Sequence, residues 1–430
     1  MGSEEPEYGE LISINLVQCV AHALRHNSTL RTQEIIVRQK ELKVKDAKTD
    51  LFPDLTLQGF WNPNSFEDDD SNFGMTLKLS GGGLEGWRQV SRIKISNLEL
   101  DLSSLIKQNK QIEMEYLTIK TYLKALLTVE EVAQWQEILK LSESNLKRLR
   151  IQYNNRTASL LDLQKGEEVH LNSKLRLLES TARQENTLND LKKLMGQAIN
   201  QRIQLDPGIE EQQFRRATGL SVKEMLVRNP SLKTLEKKIG MIKEKIKFSR
   251  LGKWPTPFAQ GGYQTKPDPR QSTFEISEER DQWYVTLGLQ WKLFDWKKTK
   301  RKTQHLILDL EKEKILSSQL KTDLEAKWLD LKAKEEHHLK TRGLLEQRLS
   351  MLEKQLKLSQ NLFDMGKVDL TELTEVDERL KLTHLALKEN HYMFLLNSLE
   401  MVYLTGESLF PPNILNQYRK HITDDPIPPS

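Results

Sequence analysis

The stretch "HNSTLR" at residues 26–31 and the stretch "RNPSLK" at residues 228–233 are two versions of one motif, 202 positions apart. The same offset pairs Leu24 with Leu226 and Pro53 with Pro255. A fixed register of this kind predicts an internal duplication, and it makes the helix that begins at this motif the first element to define.

The duplication continues at an offset of 210 through the rest of each copy. Tyr153 matches Phe363 and Gly196 matches Gly406. The eight-residue change lies between the proline and the second predicted strand, where a longer loop costs little. We therefore divide the chain into a first repeat at 11–206 and a second at 207–406. A Pro-rich, irregular tail is expected at 407–430.

Composition favours long, solvated helices over a single large core. The chain of 430 residues is 37% hydrophobic and 29% charged, and residues 88–200 and 297–405 contain no proline. The net charge of +4 comes from interleaved signs, so no nucleic-acid partner is expected. The single cysteine, Cys19, excludes an internal disulfide and a Cys-rich metal site.

The N-terminus "MGSEEPEYGE" lacks the basic and apolar regions of a signal peptide. Residues 1–10 are expected to be a leader on a mature chain from which the signal peptide has been removed. No run of about 18 apolar residues occurs in the sequence, which excludes a membrane-spanning helix.

Each repeat has the same predicted order of elements. A helix of about 40 residues ends at Pro53 or Pro255, because proline cannot continue a helix. A β-hairpin follows, at about 55–81 and again at about 257–294, and then a long helix and a return helix. The predicted helices lie at 13–51, 88–155 and 157–200 in the first repeat, and at 219–251, 297–365 and 367–405 in the second.

The predicted strands alternate apolar and polar residues, which gives each hairpin one apolar face. Two hairpins cannot bury such faces by themselves. Either helices cover these apolar faces, or several chains contribute their hairpins to one common sheet. Six of the eight tryptophans lie in or beside the hairpins. Trp61, Trp283, Trp291 and Trp296 are candidates for a membrane-interface belt, although strands also bury tryptophan in ordinary cores.

The long helices require equally long partners. About 68 residues at a rise of 1.5 Å span roughly 100 Å. The two shorter helices of a repeat make up that length if they stack end to end. Leu373, Leu380, Leu387 and Phe394 recur every seven residues, as in a coiled-coil seam. The sequence therefore predicts a long helical bundle or barrel with a small β part.

Three stretches, in this order, resemble the TolC-like outer-membrane efflux protein family. They are "VQCVAHALRHNSTLRTQEIIVRQKELKVKDAKTDLFPDLTLQG" (17–59), "LFDW" (293–296) and "LFDMGKVDLTELTEVDERLKLTHLALKENHYMFLLNSLEMVYLTG" (362–406). The resemblance covers residues 11–406. The chain departs from the family pattern at Ser28 in the first motif, at Trp296 after the last strand, and at Arg156, where the first helical tip is expected to have glycine.

The resemblance implies a mainly α fold in which three chains form a homotrimer. Each chain contributes four strands to a twelve-stranded β-barrel in the outer membrane, continued by an α-helical barrel in the periplasm. The implied function is passive export in a tripartite efflux or type I secretion system. The implied partners are a periplasmic adaptor (membrane fusion) protein, an inner-membrane transporter and outer-membrane lipid.

The resemblance also implies the site residues. Glu372 and Glu375 match an acidic constriction at the periplasmic gate, and Asp162 matches a position that holds the closed state. Arg156, Lys367 and Asp369 are candidates for links between neighbouring helices at the gate. Arg156, Leu160, Gly366 and Leu370 mark the tips that dock the adaptor. By themselves, these charges also fit an ordinary solvated helix.

No motif of catalysis or cofactor binding is present. "SGGGLEGW" (80–87) lacks the Lys-Ser/Thr of a phosphate loop, and His22 and His26 lack a third ligand for a metal. We expect no enzyme activity, no cofactor and no metal. A second interpretation remains open, in which the chain is a soluble coiled-coil scaffold with a covered β core.

Overall fold

The computed structural model describes residues 12–62, 72–81, 86–198, 200, 203–209, 214, 219–265, 281–365, 367, 368 and 370–410. This part of the chain forms six strands and eight helices. Along the chain they are β1 (Ile12–Ile14), α1 (Leu16–His26), α2 (Ser28–Thr49), β2 (Pro53–Asn62), β3 (Asn72–Gly81), α3 (Trp87–Asn154), α4 (Leu160–Met195), β4 (Ile203–Leu205), α5 (Val222–Arg228), α6 (Pro230–Leu251), β5 (Thr256–Thr265), β6 (Asp281–Gln290), α7 (Lys298–Asp364) and α8 (Leu370–Thr405).

The chain divides into two compact units, and each takes residues from both repeats. Unit 1 consists of Met1–Thr32, Gln108–Pro230 and Lys321–Ser430, and unit 2 of Gln33–Lys107 and Ser231–Leu320. Among the described helices, none combines the length and the apolar composition needed to cross a bilayer.

The opening helix of the first repeat is interrupted, contrary to the prediction of one helix at 13–51. Asn27 has an extended backbone (ψ 124°) between α1 and α2. Its N–H donates to the Ala23 carbonyl, and its Oδ1 accepts from the Thr29 N–H at 2.9 Å. One residue thus caps the end of α1 and the start of α2, because asparagine can satisfy backbone groups on both sides.

The second repeat is interrupted at the matching residue, so the predicted helix at 219–251 is also two helices. Asn229 has a non-helical backbone (ψ 122°), and its N–H donates to the Met225 carbonyl. Pro230 then begins α6, where its missing N–H is not needed, and proline disfavours a helical residue before it.

A small parallel sheet in unit 1 was not predicted. β1 pairs with β4 from Ile12↔Ile203 to Ile14↔Leu205, where the sequence analysis expected the first helix to begin at 13. The buried Tyr122 hydroxyl donates to the Asp206 carbonyl at 2.6 Å, next to this sheet. Burial raises the pKa of the Tyr122 hydroxyl, which therefore stays protonated as a donor.

The core of unit 1 is formed by α1, α3, α4, α7 and α8. Its largest fully buried side chains include Trp328, Tyr122, Ile119, Leu123, Leu395 and Leu399. Glu115 is also buried and accepts hydrogen bonds from the Ser408 hydroxyl and from the N–H groups of Leu409 and Phe410. These bonds hold the segment after α8 against α3.

The sheet of unit 2 joins the two predicted hairpins side by side. Its order is β2-β3-β5-β6, and every neighbouring pair is antiparallel. The prediction that the helices end at Pro53 and Pro255 is confirmed, since β2 begins at Pro53 and β5 at Thr256. β6 ends at Gln290, four residues before the predicted end of its hairpin.

Glu99 links three helices of unit 2. It accepts from Lys40 of α2 at 2.9 Å and from Lys245 of α6 at 2.7 Å. Burial by itself would raise the pKa of the Glu99 carboxyl, but the hydrogen bonds and charges of the two lysines outweigh it and lower that pKa to about 2. Glu99 is therefore ionised over the whole range in which the protein is expected to work.

Candidate functional site

The first helical tip closes through Arg156, the residue that replaces the expected glycine. Its backbone is left-handed (φ 62°), and the Thr157 N–H donates to the Gln152 carbonyl at 2.8 Å. This six-residue closure is the usual C-terminal motif of a helix, in which glycine is preferred because it has no Cβ. The Arg156 side chain is exposed, and it forms no ion pair with a described residue.

Asp162 has a local structural role at the start of α4. The Ser159 N–H and hydroxyl donate to its Oδ2 at 3.1 and 2.6 Å, and its own N–H donates to Ser159 Oγ. Hydrogen bonds from the Ser159 hydroxyl and N–H lower the pKa of the Asp162 carboxyl. The pair is a capping box, and its Ser-x-x-Asp signature was visible in the sequence but was missed.

The second tip closes with the same backbone hydrogen bond as the first. The Lys367 N–H donates to the Leu362 carbonyl at 2.9 Å, and these two residues match Thr157 and Gln152 at the offset of 210. Gly366, Asp369 and the side chain of Leu370 lie outside the described residues. Both tips are therefore built on one backbone pattern.

The two predicted gate carboxylates are on the first turns of α8 and are exposed. Glu375 accepts from Arg379 Nη2 at 3.0 Å, one helical turn along. Glu372 is in the first turn, where the positive end of the helix dipole favours a carboxylate. Within one chain, these groups are available to solvent or to a second copy.

The structure does not join the predicted gate-stabilising residues to one another within a chain. In the described part of the tips, Asp162, Arg156 and Lys367 form no mutual ion pair. Leu160, a predicted docking residue, is 54% exposed at the start of α4.

Near the first tip, α3 and α4 approach closely at Gly166. A Cβ on Gly166 would come within 2.5 Å of Leu149 Cδ1. Arg150 Nη2 donates to Glu167 Oε1 at 3.1 Å in the same region. This packing orients the first tip.

The four-stranded sheet carries an apolar face that no described element covers. Rows of paired residues cross all four strands, for example Leu57, Leu77, Tyr263 and Trp283. Trp283 is 79% exposed, and Val285 in the next row is 81% exposed. In a single chain the face is open to its surroundings, which is unusual for an apolar surface of this size.

The opposite face of the sheet is polar. Thr56, Lys78, Gln260 and Thr286 point to this side, one strand after another. At the close Phe258↔Gly288 pair, the Phe258 ring occupies the space that a Cβ on Gly288 would need. A sheet with one apolar and one polar face suits a boundary between lipid and water.

The predicted interface tryptophans are near the ends of the strands. The Trp283 ring contacts Tyr263, with 5.0 Å between ring centroids, and Trp291 Nε1 donates to the Lys253 carbonyl at 3.1 Å. Trp296 is exposed and packs edge-on against Phe294. The Trp61 side chain lies outside the described residues.

Two structural residues were missed by the sequence analysis, although the motif containing them was quoted first. Asn27 Nδ2 donates to the Leu194 carbonyl at 3.3 Å, and Asn229 Nδ2 donates to the Leu404 carbonyl at 2.9 Å. These bonds attach the end of each return helix to the break in each opening helix. The described residues contain no group of three potential metal ligands.

Solved structures of outer-membrane channels share this architecture. The Campylobacter jejuni CmeC outer membrane channel has a TM-score of 0.76 at 14% identity, over 95% of this chain and 90% of that one. The Vibrio cholerae outer membrane protein VceC has a TM-score of 0.76 at 13% identity, over 92% and 97%. The open state of the Neisseria gonorrhoeae MtrE outer membrane channel has a TM-score of 0.73 at 15% identity, over 92% and 89%.

Sequence comparison adds nothing to this structural likeness. No family model matches the chain. No curated protein matches it significantly. Because the structural likeness extends over nine-tenths of the chain and includes both repeats, the predicted resemblance is confirmed at the level of structure, and the chain has the fold of the TolC-like outer-membrane efflux channels.

Proposed function

We propose that this chain is the outer-membrane channel of a tripartite efflux or type I secretion system. Three copies each contribute the sheet β2-β3-β5-β6, and their twelve strands close a barrel in the outer membrane. The helices continue this barrel into the periplasm. The channel conducts passively and has no catalytic step.

One observation carries this proposal, namely the uncovered apolar face of the four-stranded sheet. The outer strands β2 and β6 also have free hydrogen-bonding edges within the described sheet. Pairing β6 of one copy with β2 of the next would satisfy both edges, and lipid would cover the apolar rows. The scaffold interpretation requires a covered β core, and no part of the chain that the structure describes covers this sheet.

In this proposal the helical tips form the gate. Glu372 and Glu375 of three chains make rings of carboxylates at the constriction, which attract cations and repel anions. Asp162, Arg156, Lys367 and Asp369 form polar links between neighbouring chains in the closed state.

The remaining predicted residues contact partners in the assembly. Arg156, Leu160, Gly366 and Leu370 dock a periplasmic adaptor, which in turn joins an inner-membrane transporter. Trp61, Trp283, Trp291 and Trp296 lie at the lipid interface, where an indole ring contacts acyl chains while its N–H finds a polar partner.

The proposal is tested by placing a charge on either face of β6. Leu287→Glu puts a carboxylate on the apolar face, and Thr286→Glu puts the same group one residue away on the polar face. We expect Leu287→Glu to abolish conductance in planar bilayers and Thr286→Glu to retain it. The detergent-extracted wild type should have three times the mass of the 50.1 kDa chain. A water-soluble monomer without conductance would support the scaffold instead.

A further inference from the structure

Basic residues are concentrated where the helices of unit 2 meet its sheet. Residues 292–302 contain six lysines and arginines and one acidic residue, and residues 243–253 contain five and one. Residues 88–94 contain three basic residues and no acidic one. Residues 38–50 contain five basic and three acidic residues. The whole chain has an excess of only four. The interleaving of charges expected from the sequence therefore fails in these four segments, which we name the basic collar.

The four segments of the basic collar adjoin the same end of the sheet. Pro53 pairs with Gly81, and Thr256 pairs with Gln290. β3 and β5 are joined near this end by the pair Ser80↔Gln260. The ends of α2 and α6 and the starts of α3 and α7 therefore lie around one end of the sheet, and their charges add.

Three carboxylates of the collar region form ion pairs with its basic residues, whereas Glu41, Asp46 and Asp295 form none with a described residue. Glu99 binds Lys40 and Lys245, and Glu244 binds Lys94 at 3.3 Å and Lys247 at 2.8 Å. Asp50 binds Arg92 at 3.1 Å. These carboxylates neutralise only a minority of the basic groups.

The surplus charge is at the surface. The residues concerned are exposed and form no ion pair with any residue that the structure describes: Lys297, Lys298, Lys300, Lys302, Arg250 and Lys253.

Large apolar side chains lie beside these lysines. Trp254, Trp291 and Trp296 are 60–78% exposed, and Leu293 is 79% exposed. Aromatic rings adjoining a row of cations match the interface of a bilayer, where acyl chains give way to phosphate groups.

A groove within unit 2 interrupts the collar between α3, α6 and α7. It has a volume of about 270 Å³, with Arg92, Lys245 and Lys302 among its lining residues and Phe248 and Leu306 on its apolar wall. The one carboxylate of the lining, Glu99, is paired with two lysines, and the three basic residues leave the lining with a positive net charge. The groove thus places basic groups beside an apolar wall, which is the chemistry of a lipid headgroup next to the start of its acyl chain.

We propose that the basic collar binds the phosphate groups of an anionic phospholipid leaflet and so fixes the depth at which the sheet enters the membrane. This inference rests on the proposed membrane function, and it adds a lipid class as a partner. A surface charge of either sign would serve solubility, but only a positive one next to the apolar rows attracts anionic headgroups.

The test compares two variants that each lose four lysines, one at the start of α7 and the other further along this helix. The collar variant carries Lys297→Gln, Lys298→Gln, Lys300→Gln and Lys302→Gln. The control variant carries Lys314→Gln, Lys321→Gln, Lys354→Gln and Lys357→Gln, which are also exposed and without an ion pair in the described structure. The full-length chains are floated with vesicles of phosphatidylcholine alone, or with about one-third phosphatidylglycerol, at low and high salt.

We expect phosphatidylglycerol to increase wild-type binding at least fivefold at low salt, and high salt to remove the increase, because the attraction is electrostatic. The collar variant should lose most of this increase and bind anionic vesicles less than about twofold better than neutral ones, whereas the control variant should retain the increase. Folding of both variants is checked by circular dichroism and by equal binding to neutral vesicles.

Three outcomes would overturn the inference. Equal binding of the wild type to neutral and anionic vesicles contradicts a preference for anionic lipid. Equal loss in both variants shows a general charge effect. Competition by inorganic phosphate beyond that of chloride at equal ionic strength indicates a site for free anions. If the wild type floats with neither vesicle, the proposed membrane function itself fails, and this result is distinct from the other three.

Discussion

The two repeats preserve the same backbone hydrogen bonds but surround them with different side chains. Asn27 and Asn229 donate to the last turn of their return helices, and both tips close with a bond across six residues. Around these bonds the residues differ. Ser28 of the first repeat corresponds to Pro230 of the second, and Arg156 occupies the position that glycine has in the second repeat. The fold therefore depends on a few backbone partners, and most side chains have diverged.

The residues that pack between the long helix and the return helix differ between the repeats, but a change in size on one helix is matched by the opposite change on the other. In the first repeat the small Gly166 lies under the large Leu149. At the matching positions of the second repeat, Val376 and Ser359 are both buried. A large residue and a small one have exchanged helices, so the volume between the helices is kept.

The largest expected difference between the repeats concerns the glycines that end the return helices. Both Gly196 and Gly406 are left-handed, with φ 69° and 71°. A Cβ on Gly406 would also lie 2.8 Å from Cδ of the stiff Pro230 ring. We expect Gly406→Ala to cost about 2–4 kcal/mol, and Gly196→Ala less, measured by thermal unfolding in detergent.

The difference can be removed by exchanging one residue between the copies. In the Gly406→Ala background, Pro230→Ser introduces the residue found at position 28 and removes the ring. It should recover part of the loss. Equal costs for the two glycine variants, with no recovery, would show that the proline does not distinguish the repeats.

The second prediction compares Glu99 with its counterpart Asp309. Glu99 joins two lysines, whereas Asp309 is exposed and has no ion pair among the described residues. Because the pKa of Glu99 is lowered from 4.5 to about 2, its contribution is complete above pH 4.5 and disappears as the pH falls to 2.

Glu99→Gln should therefore cost about 1–3 kcal/mol at pH 7 and progressively less between pH 4.5 and 2. Asp309→Asn removes no ion pair of the described structure and should cost less than about 0.5 kcal/mol at pH 7. The measurement is the midpoint of thermal unfolding at each pH. A cost of Glu99→Gln that stays constant with pH would contradict the assigned ion pairs.

The third prediction compares the carboxylates of the two tips. If Glu372 and Glu375 form the constriction, replacing both with alanine should raise the concentration of a multivalent cation that blocks conductance by about tenfold, equivalent to about 1.4 kcal/mol. Asp162→Ala should leave this concentration unchanged, because the Asp162 carboxylate is bound by Ser159. Block that is unaltered in the double variant would remove these glutamates from the constriction.

The smallest expected effect is at Arg156. Arg156→Gly should stabilise the chain by about 1 kcal/mol, because glycine adopts a left-handed backbone without strain. Arg156→Ala retains the Cβ and is the control, with little gain expected. Both are compared by thermal unfolding. Equal stabilisation by the two variants would indicate that the arginine charge, and not the backbone, is unfavourable.

The sequence predicted the order and type of the long elements correctly because their signals are long. The helices Trp87–Asn154 and Lys298–Asp364 agree with the predicted bounds within one residue. β3 ends at Gly81, the predicted end of its hairpin, and apolar and polar residues alternate along its ten residues. Because the two repeats match at a fixed offset, each long helix was supported by the sequence of both copies.

Shorter or non-local features were not predictable in the same way. β1 and β4 have three residues each, too few for a periodic pattern, and their pairing joins residues 191 positions apart. The break at Asn27 has neither glycine nor proline, although Asn229-Pro230 contained the signal for the matching break. The gate residues that the structure describes form no mutual ion pair within one chain, and distances between copies in the proposed constriction could not be read from one sequence.

The two free edges of the four-stranded sheet bear on the life of the protein before assembly. If the proposed function holds, a chain that has not yet met two other copies presents unpaired strand edges next to an apolar face that no described element covers. Such a surface is the feature that chaperones and proteases recognise, and it favours aggregation. In the proposed trimer, completing the barrel removes both edges from every copy, so the channel becomes resistant to periplasmic quality control only when its third chain is in place.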